Sequence, residues 1–398
     1  AAQRGIRWQQ FRQDGVIRSL RSRDGWSARW AQRMNRPSLL QPERMAAPRG
    51  IPGVGLLAPE DLGLPSSAKP EAQRGGMNQG EEALRSFLQE RGVNYRADMS
   101  SPVEGWEGCS RLSPYLAFGC LSIRTIHQAA GSRVAELRAL VRSGGPVDRR
   151  WLGSLSSFGA RLRWHCHFMQ KLEDEPRIEF ENFSRAFDGM REGFSATPEA
   201  EERFRRWQEG TTGYPMVDAC MRAVRATGWL NFRMRAMVAS FAAYHLWLHW
   251  REPAVYLGRH FLDFEPGIHF SQFQMQSGTT GINTLRIYSP AKQALDQDPK
   301  GVFIRRWIPE LARVPESWLS QPHLMPLEMQ ARYGCSIGKD YPAPVVDHQA
   351  AVALARERFA AVRKRPGTRA EAKRVLTKHG SRKRPAKRAR PLVTATLL

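Results

Sequence analysis

The chain has 398 residues, with 61 Lys and Arg against 38 Asp and Glu and a formal net charge of +23. That length allows one large domain or two ordinary ones. The basic excess points to a polyanion, nucleic acid first, with an Arg-rich proteome as the bland alternative. Five scattered cysteines, none in a CxxC pair, exclude a disulfide framework and an iron–sulfur cluster. No signal-peptide pattern opens the sequence, and no apolar run reaches the roughly 18 residues of a membrane span. A reduced, cytoplasmic setting is expected.

In chain order, Ile6–Arg18 has some strand character, and Ser22–Met34 has helical spacing. Arg36–Gly80 is rich in Pro and Gly, lacks a sustained period, and is expected to be a linker with at most a short helix. Helices are expected over Glu81–Arg91, Ser113–Phe118, Ser122–Ala130, Val134–Val141, Trp151–Lys171 and Glu199–Trp207. The segment from Trp207 to Trp250 then carries Trp207, Trp229, Trp247 and Trp250 among arginines. Pro215 suits a first helical turn, and Asp218 suits the positive end of the same helix. Thr227-Gly228 breaks it, and a second helix is expected from about Asn231 to Trp250. So many tryptophans beside inward arginines point to a large, planar, anionic guest rather than a plain apolar core. Asp347 is a good N-cap for a helix through Val362. Period-two alternation is scarce after residue 40, so the chain is expected to be mainly α. Residues 363–390 hold thirteen Lys and Arg against one acid, Glu371. A disordered basic tail over 363–398 is expected, either an arm that binds phosphates or a solvated end with no partner.

The chemistry begins at Cys109-Ser110-Arg111-Leu112-Ser113-Pro114. Ser113 is a good N-cap and Pro114 a good first-turn residue. Free backbone N–H groups, two hydroxyls and a guanidinium there would suit a diphosphate, although ordinary helix caps look the same. Three further stretches accompany this CSRLSPYLAFG run: WQEGTTGYPMVDACMR with its ATGW sequel, FIRRWIPEL (Phe303–Leu311) and YPAPVVDHQAA (Tyr341–Ala351). Together they resemble the photolyase/cryptochrome family, in the right order over about Glu81–Phe359.

The resemblance implies an all-helical FAD-binding domain over 81–362, with a linker at 36–80. It also implies that residues 1–35 are a remnant of the family's α/β, Rossmann-like antenna domain, most of which is missing from this chain. The implied cofactor is a folded-over FAD, and the implied chemistry is electron injection from reduced, light-excited flavin into a pyrimidine dimer in DNA. Tyr95, Cys109, Ser110, Arg111, Leu112, Ser113, His165, Arg235, Asp263 and Glu265 fall on flavin-contacting positions. Arg235 and Asp263 match the ion pair beside the flavin ring, whose alternative reading is a structural salt bridge. Glu265 stands where the family has the shorter Asp. Trp164 falls on the tryptophan that stacks on the lesion, and Arg233 on a contact to backbone phosphate. Trp164, Arg235 and Trp250 are the residues expected to carry the reaction, and Arg161, Trp164, Phe232 and Arg233 to meet DNA, damaged and possibly single-stranded.

The departures are as informative. The acid that bonds the flipped dimer in family repair enzymes is here Arg161, which cannot accept a hydrogen bond. The family's Asn and Met at the lesion are here Phe232 and Ala236. Of the three tryptophans in the family's electron relay, only the middle one is present, as Trp250. The flavin-proximal one falls on Ser271 and the outer one near Thr197. His269 could approach the flavin's reactive nitrogen, or simply hold a backbone carbonyl. His165, Cys166 and His167 are consecutive on a helix and point to different faces, so no metal site is expected. A monomer is expected. Two function classes stand: light-driven repair, favoured by the basic surface and Arg233, and a cryptochrome-like photoreceptor, favoured by Arg161, Phe232 and Ala236; a flavin-bound nucleic-acid-binding protein without photochemistry is the bland third.

Overall fold

The computed structural model describes residues 2–380 apart from 6, 10–14, 39–41, 47–49, 51–54, 56 and 64–68. Among them the architecture is helical, and the sole β feature is an isolated bridge between Ile337 and Tyr341. The helices are α1 (Trp26–Met34), α2 (Met77–Gln89), α3 (Tyr95–Asp98), α4 (Glu104–Gly108), α5 (Ser113–Ala117), α6 (Ile123–Arg142) and α7 (Arg150–Asp174). There follow α8 (Glu192–Ser195), α9 (Pro198–Glu209), α10 (Pro215–Thr227), α11 (Phe232–Ser240), α12 (Arg251–His260) and α13 (Pro266–Ser277). The last are α14 (Pro290–Gln297), α15 (Val302–Trp307), α16 (Glu316–Leu319), α17 (Leu327–Tyr333), α18 (His348–Lys364) and α19 (Thr368–His379).

Two apolar cores organise these helices. One is built on α10, α11 and α13, with Trp207, Trp250 and Tyr341 buried in it. The other joins α2, α6 and the first half of α7, and takes in Trp26, Trp30 and Met34 of α1. The segment read as a remnant of a separate domain therefore shares a core with the helices. Its docking is specific: the Gln170 amide exchanges hydrogen bonds with the backbone of Ile17, N–H to Oε1 at 2.7 Å and Nε2 to O at 2.8 Å. No strand occurs in the described part of Ile6–Arg18, because its backbone pairs with a side chain rather than with another strand.

Several expected boundaries move. Ser122–Ala130 and Val134–Val141 are one helix, α6, and Gly131 sits in it with open space where a Cβ would stand. The helix expected from Asn231 to Trp250 runs only to Ser240, widens into a π-helical turn over Phe241–His245, and leaves the helix before Trp250. Trp247 adopts a left-handed backbone, φ 58°. The guanidinium groups of Arg191 and Arg358 pack on its ring, 4.6 and 4.5 Å from its centroid, and these cation–π contacts help to hold the break. Asp218 does more than face a helix end. It is fully buried and accepts from Thr212 N, Thr212 Oγ1, Gly213 N and Tyr341 Oη, at 2.6–3.0 Å. That one carboxylate ties the GTTGYP turn to the YPAP segment.

The end of the described chain also departs from expectation. Residues 368–379 form α19, so the basic stretch is ordered through His379; residues 381–398 lie outside the described residues. Val375 buries against Ile178 and Phe183. Glu175, at the end of α7, receives His379, Lys378, Arg374 and Arg177. Burial alone would raise the Glu175 carboxyl, but His379 and the charges of Arg177 and Lys378 outweigh it and hold it well below the carboxylate range. The linkage sign follows: this carboxylate contributes stability above the ordinary Glu range and loses it as pH falls through its depressed folded value. Glu175→Gln should keep the shape and lose the charge. α19 should then undock, at a cost of about 3 kcal/mol because the partners keep solvent-facing edges. Limited proteolysis within 368–379, compared with the melting of the whole domain, checks this; equal protection in both proteins would refute it.

Candidate functional site

The residues singled out from the sequence meet where α3, α5, α7, α11 and the α12–α13 loop converge. Asp263, in that loop, forms a two-pronged pair with Arg235 of α11: Nη1 to Oδ1 at 2.9 Å and Nη2 to Oδ2 at 2.8 Å. Arg235 also donates from Nε to Leu230 O at 2.7 Å and lies 4.0 Å from the centroid of Phe261. Burial would raise the Asp263 carboxyl, but Arg235, with a hydrogen bond from Ser113, holds it below its usual value. The Ser113 contact brings the CSRLS segment to the ion pair. His165 of α7 lies within the field of Asp263, yet burial lowers it to about 4, so it is neutral near pH 7.

The CSRLS segment has the backbone shape of an anion cradle. Arg111 sits at φ 58° in the left-handed region, and Leu112 follows at φ −90°, ψ −9°. Such alternation turns successive N–H groups toward one concave side. Leu112 itself is buried apolar core, and the Cys109 thiol is pushed up to about 11 by burial, so it is uncharged. Tyr95 is buried beside them, with its hydroxyl raised to about 12 by burial and bonded by Arg161.

The Arg111 guanidinium has partners that the sequence did not indicate. It packs against both Trp106 and Trp229, 4.0 and 4.1 Å from their centroids, in the corner where the two indoles meet edge to face, and Gln73 brackets it. Gln73 Nε2 donates to Arg111 O at 2.9 Å, and Arg111 Nε donates to Gln73 Oε1 at 3.2 Å. Arg111 thus serves the cradle through its backbone, and its side chain holds the strained φ in place. Gln73 belongs to the stretch read as linker. Residues 69–74 in fact strap the site: Lys69 Nζ donates to Arg225 O at 3.1 Å, Glu71 N to Ala226 O at 3.3 Å, and Tyr115 Oη to Arg74 O at 2.8 Å.

At the rim, Phe232 is 47% exposed and the Arg161 guanidinium stands 5.8 Å from its ring centroid. Trp164, one turn along α7 from Arg161, is half-buried and stacks on Phe168 at 5.6 Å. Arg233 follows Phe232, and its Nε is buried without a partner among the described residues. Glu265 precedes the first turn of α13, and burial raises its carboxyl. His269 holds a backbone carbonyl: its ring N–H meets Ala254 O at 2.7 Å, and burial keeps it neutral, lowered to about 4.

Trp250 is fully buried in the core, and its Nε1 donates to Asn182 Oδ1 at 2.8 Å. Ser271 Oγ is buried without a partner among the described residues. Thr197 caps α9, accepting from Ala200 N at 3.2 Å, which accounts for a threonine there. Among the described residues no group of three or more His, Cys, Asp and Glu could hold a metal ion, and no helix is long and apolar enough to cross a membrane.

These residues fit a flavin nucleotide. A guanidinium–carboxylate pair, a concave run of N–H groups and the orphaned His165 Nδ1 face the same convergence, a donor-rich set for a guest with a diphosphate and a polar ring edge. The comparisons agree. A family model described as the FAD binding domain of DNA photolyase matches residues 158–361. The chain is 30% identical over 267 residues to a deoxyribodipyrimidine photo-lyase of Alkalihalophilus pseudofirmus, covering 67% of this chain and 51% of that protein. It is 32% identical over 297 residues to Cryptochrome-2 of Arabidopsis thaliana, covering 72% of this chain and 46% of that protein. The solved Synechocystis cryptochrome superposes with a TM-score of 0.68 at 26% identity, over 83% of this chain and 67% of that one. The chain spans about half the length of the curated relatives it matches.

Asp263→Asn should preserve shape while stranding the Arg235 charge. The variant should lose FAD on purification and lose about 3 kcal/mol of stability, the low end for a broken buried pair because Arg235 keeps a wet edge. The ratio of flavin to protein absorbance and a urea titration of the apo form measure both. Wild-type flavin content in the variant would refute this role.

Proposed function

This chain belongs to the photolyase/cryptochrome family of FAD-binding flavoproteins, and from that premise we propose that it carries out light-driven repair of pyrimidine dimers in DNA. The observation that carries the reading is the rim. Phe232 and Arg233 open α11, which carries Arg235 of the Arg235–Asp263 pair; Arg161 stands 5.8 Å from the Phe232 ring, and Trp164 follows Arg161 one turn along α7. An extruded base needs a flat apolar surface to replace its lost stacking, and its backbone needs cations. When bound, the flavin supplies light absorption and one-electron chemistry. Arg235 then faces negative charge on the ring with a fixed guanidinium, and Asp263 keeps that guanidinium oriented. His165 stays neutral, so it can offer one N–H to a phosphate or ring edge. With Arg161 in place of an acid, a flipped dimer meets a donor rather than an acceptor.

That replacement also favours a second reading, a flavin photoreceptor without repair. Arg161, Phe232 and Ala236 together remove the acceptor, the amide and the thioether of the family's lesion contacts. An illuminated assay on dimer-containing oligonucleotides, single- and double-stranded, separates the two. Repair that depends on light and FAD supports the first reading, and none on either substrate favours the second. Trp164→Ala should weaken damaged-DNA binding about tenfold, in keeping with the ~1–3 kcal/mol of a base–aromatic stack, and leave undamaged DNA nearly unaffected. Equal losses on both, with flavin retained, would remove Trp164 from the lesion site. Binding of either DNA should fall log-linearly with salt.

Electron supply is where this chain departs most from its relatives. Trp247 is a poor relay, because two guanidinium groups against its ring oppose the positive charge of an oxidised indole. Trp250 has a neutral partner in Asn182 and lies 6.2 Å from Phe270, next to Ser271 in α13. Trp250→Phe keeps packing roughly intact and makes the ring much harder to oxidise. Under light with a thiol donor, the variant should reduce its flavin several-fold more slowly, as followed by absorbance. Equal rates would leave Trp250 a packing residue.

A further inference from the structure

Arg91, just past α2, is a half-buried cation that no carboxylate neutralises at hydrogen-bond range among the described residues. Its five N–H groups find five acceptors on three segments. Nε donates to Ser86 Oγ at 3.0 Å, and Nη2 to Ala83 O at 3.0 Å and Ser110 O at 2.7 Å. Nη1 donates to Glu107 O at 2.8 Å and to Cys109 O. Arg91 also lines an open hollow of about 450 Å³ with Asn78, Gln79, Glu82, Ala83 and Ser86. With every donor used internally, it offers nothing to an anion in that hollow.

The direction of those bonds matters for the flavin cradle. A trans peptide sets its N–H opposite its C=O. Drawing the carbonyls of Cys109 and Ser110 toward Arg91 therefore turns the N–H groups of Ser110 and Arg111 the other way. Those amides begin the concave run that Arg111, at φ 58°, and Leu112 complete. The turn that delivers Arg91 is itself tight: at Gly92 a Cβ would stand 2.3 Å from Phe87 O.

We infer that Arg91 is a positioning residue for the cofactor diphosphate: its saturated guanidinium aims the amides of the 109–112 segment before the flavin binds. This rests on the reading that the diphosphate seats on that segment. Lysine cannot substitute, because it has three donors on one atom and cannot span α2, the end of α4 and the cradle together.

The test uses the full chain stripped of flavin and refilled, with affinity for FAD and for riboflavin measured by fluorescence and the 31P spectrum of bound FAD recorded. Arg91→Gln and Arg91→Lys should weaken FAD about tenfold to a hundredfold, the range of lost hydrogen bonds to a charged group. They should leave riboflavin, which lacks phosphate, within about twofold, and shift the 31P resonances. A general packing loss would weaken both ligands alike and would overturn the inference. Ser110→Asp places a carboxylate in the cradle and controls for the seat itself. If Ser110→Asp lowers FAD selectively and the Arg91 variants do not, Arg91 has no positioning role. If Ser110→Asp has no selective effect, the diphosphate seats elsewhere and both readings fall. Should Arg91→Gln fail to fold, Arg91→Lys, which keeps the charge, decides.

Discussion

A cation fixed opposite a buried carboxylate helps it to stay charged inside a helical protein, and Arg235 supplies one for Asp263 at the candidate site. Each partner depends on a different part of the chain. Arg235 is aimed by the chain just before α11, through Leu230 O, and by the face of Phe261. Asp263 sits in the α12–α13 loop, and Ser113 adds a hydroxyl from α5. Helix starts, loop and cradle are thereby brought to one point. Desolvation of the two charges is costly unless the remaining lone pairs and protons are used, and here each partner has further contacts.

The same logic recurs elsewhere in the fold. Helices satisfy their own backbones, so nothing like a sheet ladder joins one segment to the next. Buried polar side chains do that work instead. Asp218 ties the turn before α10 to the YPAP segment, Gln170 ties Ile17 to α7, and Glu175 ties α19 to the end of α7. Arg91 does it for the cradle with five bonds from one guanidinium. Each is a single polar group serving segments distant in sequence, so its removal should act locally before it acts globally.

Much of this was legible in the residues. The apolar spacing located most helices, Asp347 capped the helix it was expected to cap, and the CSRLSP and TGYPMVDA runs led to the FAD-binding domain that the family model matches. Arg235 and Asp263, read as an ion pair, are one. Arg91, Gln73 and Asn182 were not found. No spacing rule marks a lysine-like position as the one that will fold back on carbonyls sixteen to nineteen residues away, and Gln73 lay in a stretch whose Pro and Gly content spoke only for loop.

Periodicity, capping and turn chemistry are local, and a sequence determines them within a few residues. It therefore set the helical class, the approximate helix positions and the family of this chain. The direction of a side chain is decided by what packs against it from elsewhere. Tertiary structure alone packed the Arg111 guanidinium against two indoles, gave His269 a backbone carbonyl, broke the helix before Trp247 and ordered a basic run that composition marked as tail. In each case a long-range contact, worth more than the local preference it overrode, made the choice.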